Sequence, residues 1–163
     1  MKKSDKDIIA LLCEDARLTP KQIAAALNAD EKAVAKRISE LEAEGVIVKY
    51  TAIVNTECFD DDTVEALIEV KVTPQKGSGF DAIAGEIAAQ EEVQNLYLMS
   101  GGYDLAVIVR GKSLKEVSRF VSEKISTYAE VLSTATHFIL KKYKVESAEM
   151  NAGVEKNRLS VQA

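Results

Sequence analysis

Apolar residues recur at helical spacing in three segments of the first half of the chain. Residues 8–12 carry the first apolar stripe, after Ser4, which suits a helix cap. The second segment opens with a capping box over residues 19–22, with a proline at the first helical position. The third follows Asp30 and stops before Gly45. Three helices are therefore predicted: the first ends near residue 15, the second spans residues 20–27 and the third spans residues 31–44.

Residues 46–54 are β-branched and aromatic, and the segment is long enough for a strand, a bend and a second strand. A short helix, a tight turn, a longer helix and a hairpin together make a winged helix-turn-helix, in which the second helix of the pair enters the major groove of DNA. Residues 31–44 are therefore the predicted recognition helix.

The rest of the chain alternates between strand-like and helix-like patterns. Ser78 is the predicted cap of a helix that ends near residue 90, and a capping box over residues 113–116 opens another. Gly101-Gly102 predicts a two-residue hairpin turn. The predicted strands are residues 65–72, 93–100, 104–110 and 131–142.

The order β-α-β-β-α-β is that of the ferredoxin-like split unit, a four-stranded antiparallel sheet with two helices on one face. The fold class is therefore α+β, with a winged helix-turn-helix over residues 1–55, a hinge over residues 56–64, the sheet domain over residues 65–146 and a tail over residues 147–163. Because apolar residues lie on both faces of the predicted strands, we expect the uncovered face to pack on another copy of the chain.

Charge is unevenly distributed along the chain. The net charge is -5, yet basic and acidic residues balance up to Tyr50, so the acidic excess lies in the sheet domain and the tail. The net negative charge argues against a protein that binds polyanions nonspecifically, because such binding needs clustered Lys and Arg. The triplet Asp60-Asp61-Asp62 fits a solvated linker better than a calcium loop, because the other oxygen ligands and the glycine of such a loop are missing.

Few residues suggest catalysis or metal binding. Cys13 and Cys58 form no CxxC pair, so the sequence indicates no disulfide framework and no zinc knuckle. His137 is the only histidine and lies in a predicted strand. No catalytic triad or phosphate loop appears, so we expect no catalytic site, no metal and no cofactor. No apolar run reaches the length of a membrane span, and a cytoplasmic protein is expected.

The polar face of the recognition helix supplies the candidate DNA contacts. Arg37 has the geometry for a bidentate contact with guanine, and Lys32, near the helix start, for a phosphate. The alternative is an ordinary solvated face, with Lys36 and Glu40 as a surface pair, since three-helix modules also dock proteins. The candidate DNA-binding residues are Lys21, Lys32, Ala33, Lys36, Arg37 and Glu40.

Three stretches resemble the Lrp/AsnC family of leucine-responsive and asparagine-responsive regulators, and the resemblance covers residues 5–145. Residues 7–24 are similar to the family's opening helices, and residues 34–47 to its recognition helix and the entry to its wing. Residues 100–104, with residues 134–141, are similar to its ligand-domain hairpin and final strand. The resemblance implies a homodimer formed through the C-terminal sheets, further assembly into tetramers or octamers, and double-stranded DNA bound by paired winged helices.

The resemblance also implies a small effector, commonly an amino acid, near the turn at residues 101–104. Glycine N–H groups can bind a carboxylate, and Asp104 can bind an ammonium group. The alternative is that the glycines only make a tight turn and the threonines only suit a strand. The candidate effector-binding residues are Met99, Ser100, Gly101, Gly102, Tyr103, Asp104, Thr134 and Thr136.

One departure from the family concerns the start of the recognition helix, where the family tends to have Ser or Thr. Asp30-Glu31 stands there instead, which favours the helix dipole but not an approaching phosphate. Two other functions remain open. One is a ligand-sensing oligomer without DNA binding, as the acidic balance suggests. The other is a tetrapyrrole-processing enzyme, since a related branch of the family performs such chemistry.

Overall fold

The computed structural model describes residues 3–58, 63–75, 77 and 79–150. The chain divides into two compact units, Met1–Ile53 and Val54–Ala163, which are described separately below. The acidic triplet of the predicted linker, the predicted cap Ser78 and residues 151–163 of the predicted tail lie outside the described residues.

The first unit contains three helices, as the apolar pattern predicts: α1 (Lys3–Glu14), α2 (Pro20–Leu27) and α3 (Glu31–Ala43). The capping box that opens α2 is formed, because the side chains of Thr19 and Gln22 each accept the other's backbone N–H. Asn28, in the left-handed conformation, ends α2 and leads into the turn before α3. The predicted helix-turn-helix is confirmed.

Both ends of α3 are fixed by local hydrogen bonds. At its start, the carboxylate of Asp30 accepts the Ala33 N–H at 2.9 Å. At its end, Gly45 has a φ of +70°, and the Val46 N–H donates to the Leu41 carbonyl at 2.9 Å. These are features of a Schellman motif, which satisfies helix-end carbonyls and stops the helix where the sequence predicts. The buried core of the unit is Ile8, Leu12, Ile23, Ala24, Val34 and Leu41.

The two wing strands predicted within residues 46–54 do not form, and the prediction of a hairpin there is wrong. The segment has no regular secondary structure, and Val48 is 88% exposed. Ile47 packs against the helical core, and the Tyr50 hydroxyl donates to Glu42 at 2.8 Å. A β-branched sequence suits a strand only where a second strand supplies the hydrogen-bond ladder, and residues 3–53 contain no strand that could pair with this segment.

The second unit has the predicted split βαβ arrangement. Its strands are β1 (Val64–Val72), β2 (Val93–Leu98), β3 (Leu105–Gly111) and β4 (Val131–Phe138), in the order β2-β3-β1-β4 with antiparallel pairing throughout. Helices α4 (Asp81–Ala88) and α5 (Leu114–Glu123) follow β1 and β3, with short 3-10 turns at Thr56–Cys58 and Ile125–Thr127. The main core includes Ile68, Val70, Ile87, Val107 and Phe120.

Two details of the second unit differ from the sequence prediction. The last strand of the sheet ends at Phe138, and a two-stranded hairpin follows, formed by β5 (Lys144–Val145) and β6 (Ala148–Glu149). The connection between β2 and β3 spans residues 99–104 rather than two glycines. The Met99 N–H donates to the Asp104 carbonyl at 2.8 Å, so the ladder closes before the glycines and leaves them in an open loop.

Candidate DNA-binding and effector sites

Helix α3 presents a narrow outward stripe on the side away from its core. Val34 and Leu41 are buried, so positions about half a turn away face outward. All the side chains on that stripe are exposed, with two cations towards the start of the helix and two small residues towards its end. The stripe consists of Lys32, Lys36, Ser39 and Ala43.

Arg37 lies beside this stripe rather than on it. Its Nε donates to Asp5 Oδ1 at 3.0 Å, and its Nη1 donates to Glu40 at 2.8 Å and to Glu44 at 2.9 Å. The Arg37 side chain is 26% exposed and that of Asp5 only 2%. Hydrogen bonds to Asp5, Glu44 and Glu40 raise the pKa of Arg37 further above its ordinary value.

The bidentate contact of Arg37 with guanine stays a prediction, and this arrangement of the guanidinium does not favour it. Its guanidinium is already bound to carboxylates of its own unit, and the contact with DNA would have to break those bonds. The signal for this pairing was weak in the sequence, because Asp5 lies on a different helix, thirty-two positions away. Glu40, another candidate, is bound to Arg37 rather than left for solvent.

The other candidate DNA contacts lie on the surface. Lys21, Lys32 and Ala33 are exposed, and Lys36 is 79% exposed with its Nζ 3.8 Å from Glu40. The surface pair that the alternative interpretation expects between Lys36 and Glu40 is present, but at that distance and exposure it leaves the ammonium accessible. Ser39 is not among the sequence-predicted contacts because it carries no charge, although its spacing from Lys32 and Lys36 places it on the same face of α3.

The loop at residues 99–104 is built around Asp104. One carboxylate oxygen, Oδ2, accepts the Val72 N–H at 2.9 Å, and the Asp104 N–H donates to the Val70 carbonyl at 3.1 Å. Ser100, Gly101 and Gly102 are exposed above it. Asp104 thus ties the loop to the end of β1 and keeps one carboxylate oxygen, Oδ1, outside these two bonds.

The two candidate threonines lie on β4, on the other side of β1 from Asp104. Thr134 pairs with Val70, the same residue whose carbonyl accepts the Asp104 N–H. With a strand spacing of about 4.8 Å, Thr134 and the start of β3 are separated by roughly 10 Å across the sheet. Thr136 lies two positions farther from this end of β4. The structure therefore brings Thr134 and the loop to one end of the sheet, with β1 between them.

Apolar side chains are exposed at the same end of the sheet. Leu98 is 59% exposed and Met99 40% exposed where β2 ends, and Leu132 is 68% exposed where β4 begins. Tyr103, in the loop, is half-buried. The end of the sheet thus combines glycine N–H groups, a carboxylate and exposed apolar surface.

The sheet face opposite α4 and α5 carries ion pairs. Glu65, whose side chain is 12% exposed, lies 2.6 Å from Arg110 and 2.5 Å from Lys142. Partial burial alone would raise the pKa of Glu65, but hydrogen bonds from Lys142 and Arg110 outweigh it and leave the pKa below its ordinary value. Nε2 of His137 lies 3.4 Å from Glu69, which places the histidine among surface polar groups.

Each of the two units matches a known protein family. Residues 1–48 match the winged helix-turn-helix DNA-binding family, and residues 65–149 match the Lrp/AsnC ligand-binding domain, which covers more than half of the chain. The chain belongs to the Lrp/AsnC family of transcriptional regulators. The uncharacterized HTH-type transcriptional regulator YugG of Bacillus subtilis is 43% identical to this Lrp/AsnC regulator over 164 residues, covering 99% of each chain.

Solved structures of Lrp/AsnC regulators show the same fold. The leucine response regulatory protein LrpA of Mycobacterium tuberculosis matches with a TM-score of 0.74 at 24% identity, covering 92% of this chain and 99% of that one. The regulator NMB0573 of Neisseria meningitidis, solved as a complex with L-Met, matches with a TM-score of 0.69 at 22% identity, covering 93% and 98%. These structures confirm the predicted fold class.

Within residues 3–58, 63–75, 77 and 79–150, no helix is long and apolar enough to cross a membrane. In the same residues, no three His, Cys, Asp or Glu side chains lie close enough together to hold a metal ion.

Proposed function

We propose that this Lrp/AsnC regulator binds operator DNA through α3 and responds to an amino acid bound at the loop of residues 99–104. The observation that carries the DNA part is the outward stripe of α3, which presents Lys32 and Lys36 while its opposite side packs into the helical core. Two lysines one turn apart suit contacts with phosphates and base edges in the major groove.

The chemistry of the loop supports an α-amino acid as the effector. Exposed backbone at Gly101 and Gly102 can donate to a carboxylate, and Asp104 supplies a negative charge for the ammonium group. Leu98, Met99 and Leu132 offer apolar surface at the same end of the sheet, which favours an apolar side chain on the effector. The L-Met complex of the Neisseria meningitidis relative supports the same ligand class.

We also propose that the chain associates with copies of itself and that it acts in the cytoplasm. The uncovered sheet face carries half-buried Leu67 and Ile108 beside Tyr97, which is 52% exposed, so a second copy would bury apolar area there. A dimer would present two α3 helices to double-stranded DNA, and tetramers or octamers would follow from further contacts. The proposed function needs no cofactor and no metal.

A thermal-shift screen with the twenty amino acids tests the effector site. A ligand that binds only the folded state raises the melting midpoint, by an amount that grows with its concentration. The matched variant is Asp104→Asn, which keeps an oxygen acceptor for the Val72 N–H but loses the negative charge. We expect at least one apolar amino acid to stabilise the wild-type chain and not the variant. Equal stabilisation of both would contradict binding at Asp104.

A ligand-sensing oligomer without DNA binding is the second candidate. Acidic groups border both ends of the stripe. At the start of α3, the carboxylate of Asp30 accepts the Ala33 N–H. Near its end lie the carboxylates of Glu40, Glu42 and Glu44. Fluorescence anisotropy with upstream DNA across a salt series separates the candidates. Binding that weakens steeply with salt supports the regulator, and no binding at low salt supports the alternative. The tetrapyrrole-processing enzyme is tested by the absorbance spectrum of the purified protein, in which a bound tetrapyrrole would be visible.

A further inference from the structure

The guanidinium of Arg37 has no donor left for DNA. It has five N–H groups, and it makes five hydrogen bonds: two with Asp5, one with Glu40 and two with Glu44. The contact with Asp5 joins α3 to α1 in a two-bond fork, at 3.0 and 3.2 Å. Arginine is the residue that most often contacts guanine, and in this helix that capacity is used within the protein.

The burial of Asp5 is the reason that the Arg37 side chain stays turned towards α1. Asp5 is a buried charged residue, with 1% of its surface exposed, and it lies next to the helical core. A buried carboxylate is costly unless a cation and hydrogen bonds compensate it. Turning Arg37 towards DNA would remove that compensation, so the pairing holds Arg37 beside the stripe. Arg37 carries one positive charge against three carboxylates, so it only partly offsets the repulsion of phosphates by Glu40 and Glu44 near the end of α3.

Base contacts must then come from the stripe itself. Lys36 and Ser39 are three positions apart and therefore lie side by side on the outward face. A lysine ammonium donates to the O6 and N7 atoms of guanine, and a serine hydroxyl both donates and accepts, so it suits several bases. Ala43, one turn after Ser39, is small enough to let the groove approach the helix closely.

We propose that Lys36 and Ser39 are the residues of α3 that determine the DNA sequence bound, and that Arg37 is a positioning residue that locks α3 onto α1. This inference rests on the proposed function, in which α3 is the recognition helix. Lys32, at the first turn, contacts a phosphate and contributes affinity without sequence preference.

Selection of bound sequences from a randomised duplex library tests this assignment. The full-length wild-type chain is compared with Lys36→Met, Ser39→Ala and the double variant Asp5→Asn/Arg37→Gln, which replaces the ion pair by two neutral amides. We expect Lys36→Met and Ser39→Ala each to lower the preference at one or two neighbouring base pairs by about five-fold to a hundred-fold. The double variant keeps the wild-type preference at every position.

The outcomes distinguish a failure of this residue assignment from a failure of the proposed DNA binding. If the double variant loses the preference at a base pair while Lys36→Met and Ser39→Ala keep it, Arg37 contacts the base and the inference is overturned. If the double variant does not fold, Arg37→Lys takes its place, because it keeps a cation against Asp5 without the two-bond fork; it too must keep the wild-type preference. A wild-type chain that enriches no sequence overturns the proposed DNA binding itself, and this inference with it.

Discussion

The two units of the protein each hold a shielded carboxylate, but in different surroundings. Asp5 lies between helices with 2% of its side chain exposed, bound to Arg37, whereas Glu65 lies on an open sheet face with 12% exposed, bound to Arg110 and Lys142. The first network joins two helices and leaves its arginine no free donor. The second lies on the sheet face away from α4 and α5, and no other helix among the described residues of its unit covers that face. Burial, more than charge, decides whether an ionic cluster holds the fold or remains available to a partner.

The largest difference between the two networks should appear when a cation is removed. Arg37→Met removes the two-bond fork from the buried carboxylate of Asp5, so we expect the melting midpoint of the chain to fall by roughly 5–10 °C at fixed protein concentration. The matched change in the other unit, Arg110→Met, leaves Glu65 bound to Lys142 and should lower the midpoint by less than half as much.

Calorimetry or circular dichroism measures both variants, and adding Asp5→Asn to Arg37→Met is the internal control. The second change removes the buried charge that Arg37 compensated and should restore part of the lost stability. A single variant Arg37→Met that melts at the wild-type temperature would show that the fork from Arg37 does not stabilise the fold.

The next effect concerns DNA affinity. Lys32→Met removes a cation from the first turn of α3, so we expect weaker binding to all sequences and a salt slope smaller by about one. Lys115→Met removes an exposed cation from α5 in the other unit and is the control. Fluorescence anisotropy at several salt concentrations measures the slopes. Equal losses for Lys32→Met and Lys115→Met would argue against α3 as the site of contact.

A smaller effect should follow from pH. The pKa of Glu65 in the folded protein is lower than its ordinary value of 4.5, so the unfolded chain takes up this proton first as the pH falls. Its contribution to stability is therefore complete above about pH 4.5 and is lost as the pH falls through the lower pKa of the folded state. Glu65→Gln should flatten the dependence of the unfolding free energy on pH in this acidic range. An unchanged profile would show that Glu65 is not coupled to folding.

The smallest effect is expected in the segment where the wing strands do not form. Val48 is 88% exposed, so Val48→Thr should change the free energy of unfolding by less than about 0.5 kcal/mol. Leu41→Ala is the contrasting variant, since Leu41 is fully buried and its truncation should cost about 2–5 kcal/mol. Urea unfolding measures both. A large effect of Val48→Thr would indicate that this segment packs against something that the isolated chain does not supply.

Sequence patterns predicted the elements whose causes are local. The capping box at Thr19, the cap at Asp30 and the glycine at position 45 set the bounds of α2 and α3 through bonds within a few residues. The alternation in β1 predicted its buried face in the same way, because every second residue points to the helices.

The features that sequence missed depend on distant partners. Residues 46–54 have strand composition but no neighbouring strand, and Arg37 has the appearance of a DNA contact until the position of Asp5 is known. The hairpin at residues 144–149 turns through Glu146 and Ser147, both with positive φ, where no glycine signals a turn. In the loop of residues 99–104, the Val72 N–H donates to Asp104, a bond that no spacing along the chain reveals.

Whether Lys36 or Arg37 contacts the bases is decided by comparing three forms of the full-length chain on one fluorescent duplex that the wild-type chain selects. Binding constants are measured by anisotropy for wild type, Arg37→Lys and Lys36→Met, on that duplex and on a scrambled one. We expect Arg37→Lys to keep the wild-type ratio of the two affinities within about three-fold and Lys36→Met to lower it by about ten-fold. A ratio that falls with Arg37→Lys and survives Lys36→Met would contradict the assignment of Lys36 as a base contact.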